Sequence, residues 1–287
     1  MPCRIVEITT QKKFELFGLW YGAKKPKKVF IFVHGLTSSV FGGVARNIMP
    51  ALVDKKTAVL TFNNRGYGIV NRISGKKSLL AGAAHEVFTD SVDDIGGAVL
   101  FAKKSGAKEV YLVGHSTGCQ KIVYYAAKVG KASKVNGLVL LAPVSDHAAA
   151  LKEDKKGNLP KALKIARAMV KAGKKHELMP RGSLTKWSID DAQRFLSLYS
   201  PDSAETIFPY EQSRKIPRTL RSLKVPSLVV WAGKDEYADR PAGKIAAWFA
   251  AHTPRGKVVV VPAVKHSFKG AEREVANSIR RWIDSKK

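Results

Sequence analysis

The stretch YLVGHSTGCQ, Tyr111–Gln120, places one serine between two glycines directly after an apolar run. The preceding residues, "VYLVG", predict a short buried strand, and "CQKIVYYAAKVG" behind them predicts a helix. A Gly-x-Ser-x-Gly pattern at such a junction is typical of a nucleophile elbow, although glycine and serine are also common in ordinary loops. The turn is tight enough that the positions two residues before and after Ser116 must be small, and Gly114 and Gly118 meet that need.

Length and composition are those of a soluble globular chain. The 287 residues are 45% hydrophobic and 25% charged, and no apolar run is long enough to span a bilayer. The first residues, "MPCRIVEITTQKKFELFG", lack the apolar stretch and cleavage site of a signal peptide, so we expect a cytoplasmic protein. Two cysteines, Cys3 and Cys119, lie too far apart in sequence for a zinc or redox motif, and we expect no disulfide framework.

The net charge is strongly positive. Fifty Lys and Arg against 23 Asp and Glu give +27. The excess is spread along the chain, with +12 in residues 1–146, +7 in 147–220 and +8 in 221–287. Because no segment forms a basic tail, we expect a solvated, lysine-rich surface and no specific nucleic-acid partner. Attraction of an acidic substrate, a polyanion or an anionic membrane is the alternative.

The order of elements predicts an α/β protein with a mostly parallel sheet and helices on both faces. Near-continuous apolar runs such as "KKVFIFVHG", "TAVLTF", "VNGLVLLAPV" and "VPSLVVWAG" alternate with helical patterns. "CRIVEITT" and "FELFGLWYG" predict an antiparallel pair at one edge. Residues 147–220 carry helix-like runs and no clear strand. We therefore predict a core of residues 1–146 and 221–287 with a helical cap, 147–220, inserted between its strands.

A serine nucleophile needs a base to take its proton and an acid to orient that base. Asp235 follows the strand "SLVVWAG", and His266 follows the strand "VVVVPAV", so each lies at a strand's carboxyl end. The chain order Ser, Asp, His is that of α/β hydrolases. The sequence predicts a catalytic triad of Ser116, Asp235 and His266, with Glu236 and Asp239 as rival acids.

An oxyanion hole needs two backbone N–H groups aimed at the developing negative charge. Thr117, the residue after the nucleophile, is predicted to supply one, and the loop "VFIFVHGLTSS" the other, through Leu36 or alternatively Thr37. Neither a metal site nor a cofactor is predicted. The residues predicted to support the site are His34, Gly35, Gly114, His115 and Gly118.

With these motifs together, "FVHGLTSS", "NNRGYG", "GHSTG", "GKDEY" and "KHSF", the chain resembles the α/β-hydrolase superfamily over its whole length. "GHSTGCQKIVYY", "MPRGSLTKWSIDDAQRFLSL" and "GKDEYADRP" more narrowly resemble the DUF1749 family of fungi and plants, which includes fungal siderophore esterases. The resemblance implies a serine esterase with a helical cap and the same triad. Two positions depart from the family pattern. Lys121 stands where the family has an acid, and "ADRP" where it has Val-Pro.

The predicted function is hydrolysis of a small-molecule carboxylic ester through an acyl-enzyme. A thioesterase, lactonase, amidase, acyltransferase or carbon–carbon bond hydrolase would use the same triad, and a non-catalytic binding protein on this scaffold is the remaining alternative. Arg65 in "NNRGYG" either pins its loop or touches substrate. The following cap side chains either shape an apolar pocket or hold the cap to the core: Trp187, Phe195, Leu196, Tyr199 and Phe208.

Overall fold

The computed structural model describes residues 3–154, 156–183 and 189–286. Eight of the strands form one sheet in the order β1-β2-β4-β3-β7-β8-β9-β10, and β5 and β6 form a separate hairpin. The strands are β1 (Cys3–Thr9), β2 (Glu15–Gly22), β3 (Lys28–Val33), β4 (Thr57–Phe62), β5 (Asn71–Ile73), β6 (Leu79–Ala81), β7 (Glu109–His115), β8 (Gly137–Leu141), β9 (Ser227–Ala232) and β10 (Gly256–Val261).

Eight of the nine helices in the described residues lie between strands along the chain, and α9 follows the last strand. They are α1 (Gly43–Asn47), α2 (Ser91–Lys104), α3 (Thr117–Val129), α4 (Asp146–Glu153), α5 (Leu159–Lys171), α6 (Ala192–Tyr199), α7 (Arg218–Arg221), α8 (Ala242–His252) and α9 (Glu272–Asp284). β1 and β2 run antiparallel at one edge, as predicted, and the strands from β4 to β10 in the sheet are parallel. The α/β fold with a mostly parallel sheet is therefore confirmed.

The central strands are buried on both faces because their side chains alternate between two cores. In β3, Val29 and Ile31 belong to the core on one face, which also contains side chains of α2, α3 and α8. Phe30 and Phe32 belong to the core on the other face, which also contains side chains of α1 and α9. This double burial explains why the strands appear in the sequence as apolar runs rather than as alternating patterns.

The first residue of α2 is Ser91, whose hydroxyl makes no capping hydrogen bond. A 3-10 turn, Phe88–Asp90, leads into the helix and moves the cap position to Asp90.

Between β8 and β9, the described residues form helices α4 to α7 and no strand beyond one bridge between Leu178 and Asp191. The helices α5 and α6 build a small core with Ala150 of α4, and Phe195 lies at its centre. Side-chain caps fix two of the helix starts. Ser145 accepts a hydrogen bond from Ala148 N in α4, and Asp191 accepts one from Arg194 N in α6.

The two cysteines have opposite surroundings. Cys3 is exposed on the edge strand β1, whereas Cys119 is buried behind the turn after β7. The Cys119 thiol donates to the carbonyl oxygens of Gly114 and Leu141, at 3.2 and 3.3 Å, and burial raises its pKa well above the ordinary value. Throughout the described ranges, the helices are too short or too polar to cross a membrane.

Candidate active site

Ser116 occupies a strained turn between β7 and α3. Its φ of 55° and ψ of −128° fall in a region that non-glycine residues rarely adopt. Flanking hydrogen bonds hold the turn, since Ser116 N donates to Leu141 O and Cys119 N donates to Ser116 O. A nucleophile elbow has this backbone conformation because it lifts the serine hydroxyl clear of the sheet.

The two glycines of the motif are required by close backbone approach. A Cβ added at Gly118 would lie 2.1 Å from Val33 O, and one at Gly114 would lie 2.5 Å from Gly118 O. Both distances are far below van der Waals contact, so no side chain fits at either position. The small-residue spacing seen in the sequence thus has a direct steric cause.

His266 and Asp235 are paired by a short hydrogen bond. The distance from His266 Nδ1 to Asp235 Oδ2 is 2.8 Å, and both side chains are buried. The other carboxylate oxygen of Asp235 accepts from Tyr237 N at 3.0 Å. A carboxylate oxygen can only accept, so Nδ1 is the donor in this bond, and in a neutral imidazole Nε2 is then the acceptor.

The two rival acids contact different groups. Glu236 accepts a hydrogen bond from the backbone N–H of His266 at 2.9 Å and not from its ring. Asp239 forms an ion pair with Arg240, at 2.7 Å. Of the three acids near this strand end, Asp235 is the one that contacts the imidazole.

Ser116 and His266 line one cavity of about 290 Å³ at the carboxyl edge of the sheet. In the ranges that the structure describes, no hydrogen bond joins their side chains. The Tyr237 ring meets the His266 ring edge-on, with centroids 4.8 Å apart. The cavity is closed on other sides by these residues: Phe32, Leu36, Val44, Val144, Asp146 and Ala149.

The loop after β3 lies directly against Ser116. A Cβ at Gly35 would be 2.8 Å from Ser116 Cβ and 3.4 Å from its hydroxyl oxygen, so only glycine permits this approach. Leu36 and Thr37 follow in the cavity wall. Among the hydrogen bonds of the described residues, none uses the backbone N–H of Leu36 or Thr117, which leaves both available to a ligand.

The histidines next to the site are held neutral. Burial, with the nearby charge of Lys121, lowers the pKa of His34 to about 4. Burial and the neighbouring His266 lower the pKa of His115 to about 3. His115 Nε2 donates to the backbone oxygen of His266 at 3.0 Å, whereas His34 lies behind the loop with Nδ1 3.0 Å from Gly35 O. These contacts brace the loops that carry the site.

The sequence did not predict a buried network of four charged side chains behind the elbow, here called the charge ladder: Lys121, Glu86, Arg194 and Glu205. Lys121 Nζ lies 2.5 Å from Glu86 Oε1, and Arg194 of α6 bridges Glu86 and Glu205 at 3.0 and 2.6 Å. Burial alone would raise the pKa of Glu86, but the charges of Lys121 and Arg194 outweigh it and lower the pKa. The unusual lysine noted after the elbow glutamine was the one signal of this ladder in the sequence.

Asp146, also missed, is a carboxyl group in the cavity wall. Gln120 Nε2 donates to its Oδ2 at 2.7 Å, and burial raises its pKa to about 8. Its position after the β8 strand, in "APVSD", matches that of Asp235 after β9, and this shared placement could have identified it.

The sequence left two roles open for the cap side chains, a pocket wall or packing, and the four described ones pack. Phe195 and Phe208 are buried in hydrophobic cores, Leu196 and Tyr199 pack against the core around Phe195, and none of the four lines the cavity of Ser116. Trp187 lies outside the described residues. Arg65 pins its loop to α2 through Asp94 and Asp93, at 2.6 and 3.1 Å, and does not line the cavity of Ser116. Across the described residues, no group of three or more His, Cys, Asp or Glu could hold a metal ion.

The profile of one protein family matches residues 9–277, and its description reads protein of unknown function, DUF1749. A comparison with curated proteins gave no match. Solved structures do match. Est1E from Butyrivibrio proteoclasticus, solved with ferulic acid, aligns with a TM-score of 0.65 at 17% identity over 98% of each chain.

Two further structures have the same fold. The α/β hydrolase GrgF from Penicillium sp. sh18 aligns with a TM-score of 0.68 at 15% identity, over 99% of this chain and 97% of its own. The esterase Pf2001 of Pyrococcus furiosus aligns with a TM-score of 0.61 at 17% identity, over 99% of this chain and 90% of its own. At these identities the likeness establishes the α/β-hydrolase fold.

Proposed function

We propose that this chain, which belongs to the DUF1749 family, is a serine hydrolase that cleaves small-molecule carboxylic esters. The observation that carries the proposal is the 2.8 Å bond between His266 and Asp235, because His266 lines the same cavity that Ser116 lines from a strained turn. A nucleophile, a base and an orienting acid at three separate strand ends form the arrangement that acyl transfer requires.

Ser116 Oγ attacks the ester carbonyl while His266 Nε2 takes the hydroxyl proton. Asp235 holds the other imidazole nitrogen, and its charge stabilises the imidazolium that forms. The backbone N–H groups of Leu36 and Thr117 bind the developing oxyanion, each lowering the barrier by about 3–4 kcal/mol. His266 then protonates the leaving alcohol, and a water molecule activated by the same base releases the acid from Ser116.

The helical segment 147–220 acts as a cap inserted between core residues 1–146 and 221–287. Two contacts support this role. α4 begins at the cavity wall, and Lys152 on this helix donates to the carbonyl oxygens of Glu236 and Ala238, in the loop that carries Asp235. Val144, just before the cap, and Ala149, within it, give this part of the cavity an apolar surface suited to an acyl or alcohol group.

An ester is preferred over a thioester, lactone or amide because solved esterases are among the structural relatives. The triad alone does not separate these reactions, since pocket shape sets the substrate. Hydrolysis and acyl transfer are distinguished by adding an alcohol acceptor and measuring whether ester exchange outruns release of the acid.

The first experiment is turnover of p-nitrophenyl esters of increasing chain length by wild type, Ser116→Ala and Ser222→Ala. Ser222 is an exposed serine outside the cavity and serves as the matched control. We expect Ser116→Ala to lose at least about 10⁴-fold in kcat and the control to keep wild-type rates. A fluorophosphonate probe should label wild type and the control but not Ser116→Ala. Ester turnover that survives in Ser116→Ala would refute the proposal.

A further inference from the structure

Several large apolar side chains are exposed beside the mouth of the cavity. Phe41 is 69% exposed in the loop after β3, whose Ser38 lines the cavity. Ile69 and Val70, 52% and 51% exposed, lie in the loop after β4. The two loops are joined because Gly68 N donates to Ser38 O at 3.0 Å. These side chains therefore share one edge of the molecule, next to the site.

The β5–β6 hairpin continues this edge with positive charge. Arg72 pairs with Leu80 across the hairpin, and both are exposed, so they share its outer face. The turn of the hairpin carries the exposed residues Lys76 and Lys77. Its Gly75 packs against the backbone oxygen of Lys13, which brings a further exposed lysine to the same place.

We propose that this edge docks on an anionic lipid membrane. Exposed aliphatic groups and lysines side by side are the chemistry of interfacial membrane binding, in which apolar groups enter the headgroup region and basic groups meet acidic lipids. The net charge of +27 adds long-range attraction to the same partner. The docking surface consists of Phe41, Ile69, Val70 and Leu80 with Lys13, Arg72, Lys76 and Lys77.

A membrane fits this surface better than a nucleic acid does. Single-stranded nucleic acids are bound on aromatic platforms between basic groups. Here Phe41 is the one aromatic member of the surface, and its other apolar members are aliphatic. Docking would hold the cavity mouth against the bilayer, where an ester with an apolar chain could enter it. That consequence rests on the proposed function, whereas the docking itself does not.

The test is cosedimentation of the whole protein with vesicles of phosphatidylcholine, with and without phosphatidylglycerol, at low and high salt. We expect binding to the phosphatidylglycerol vesicles that weakens at high salt. Lys76→Glu/Lys77→Glu should lower this binding at least about tenfold. The matched control is Lys24→Glu/Lys25→Glu, which changes the net charge equally. This exposed lysine pair precedes β3, at the end of the sheet where the parallel strands begin and away from the cavity.

A second pair of variants tests the apolar part. Ile69→Ser/Val70→Ser should weaken vesicle binding several-fold at either salt concentration. Ile5→Ser/Leu100→Ser removes aliphatic groups of equal or greater exposure, 78% and 53%, on β1 and α2, and should bind as wild type does.

Three results would overturn the proposal. Equal losses of vesicle binding in the two double lysine variants would mean that net charge alone attracts the vesicles. Binding of duplex DNA at the salt concentration where vesicles no longer bind would assign the surface to a polyanion. A dimer in sedimentation that Ile69→Ser/Val70→Ser dissociates would assign it to a second copy of the chain. Since each readout is binding, none depends on whether Ser116 is catalytic.

Discussion

Removing the charge of Lys121 should destabilise the protein strongly. The ladder behind the elbow contains two cations, Lys121 and Arg194, and two carboxylates, Glu86 and Glu205, and the side chains of all four are buried. As it stands, the ladder is neutral. Lys121→Met keeps the length of the side chain but leaves one carboxylate without a compensating charge.

The expected size follows from that imbalance. Leaving one buried charge unpaired costs about 3–5 kcal/mol. Arg194 still contacts Glu86 at 3.0 Å, so we expect the lower part of that range, about 3 kcal/mol. At roughly 2–4 °C per kcal/mol for a chain of this size, Tm should fall by about 6–12 °C.

The assay is urea unfolding followed by circular dichroism, together with thermal scans, for four proteins. The difference between wild type and Lys121→Met gives the free energy of unfolding that is lost with the charge. Lys121→Met/Glu86→Gln removes both charges and should recover most of the loss, because the remaining pair is balanced again. Lys128→Met, an exposed lysine over the Tyr124 ring on the same helix, should change stability by less than about 1 kcal/mol.

The reasoning would be refuted if Lys121→Met unfolded within about 1 kcal/mol of wild type, which is the range of an exposed ion pair. It would also fail if the double variant were no more stable than the single one. In that case the loss would come from packing rather than from an uncompensated charge.

Three further outcomes are expected. Asp235→Asn should lower kcat by about 10³–10⁴-fold through loss of the imidazole orientation, whereas Glu236→Gln, whose partner is a backbone N–H, should lower it far less; equal effects would reassign the acid. Gly118→Ala should cost about 3 kcal/mol or more, because its Cβ would meet Val33 O at 2.1 Å, while Gly96→Ala, with its nearest neighbour at 3.9 Å, should unfold at or above the wild-type temperature. Burial raises the pKa of Asp146 to about 8, so the folded state binds this proton more tightly than the unfolded state and loses stability as pH rises from about 4 to about 8. Asp146→Asn lacks this proton, so the Tm of the variant minus that of wild type should increase over the same interval. A Tm difference that stays constant with pH would contradict the raised pKa.

The sequence was sufficient for the fold because its strands are buried on both faces. Runs such as "VFIFV" and "LVVWA" are apolar at every position, and that pattern occurs in a covered parallel sheet. The position of Ser116 could be predicted because Gly114 and Gly118 are required by backbone contacts, and steric requirements of that kind remain visible in sequence.

The parts that could not be predicted depend on distant pairings. Arg194, Glu205 and Glu86 are polar residues in helices and loops, and nothing local distinguishes them from surface residues until the chain brings them to Lys121. The sequence also left open whether the cap side chains line the cavity or pack the cap, because an aromatic such as Phe195 can serve a core or a pocket equally well. Its hydrophobicity predicts burial but not which surface it is buried against.

Of the two cysteines, only Cys3 has a thiol that a reagent can reach in the folded protein. Cys119 is enclosed behind the elbow with its thiol hydrogen-bonded and its pKa raised, so it stays in the unreactive thiol form. Cys3 stands exposed on the outer strand. A maleimide dye or spin label added to the native protein would therefore attach at one position without any engineered substitution. Reactivity at Cys119 would appear when the elbow opens, so a count of modified thiols would also report unfolding around the nucleophile.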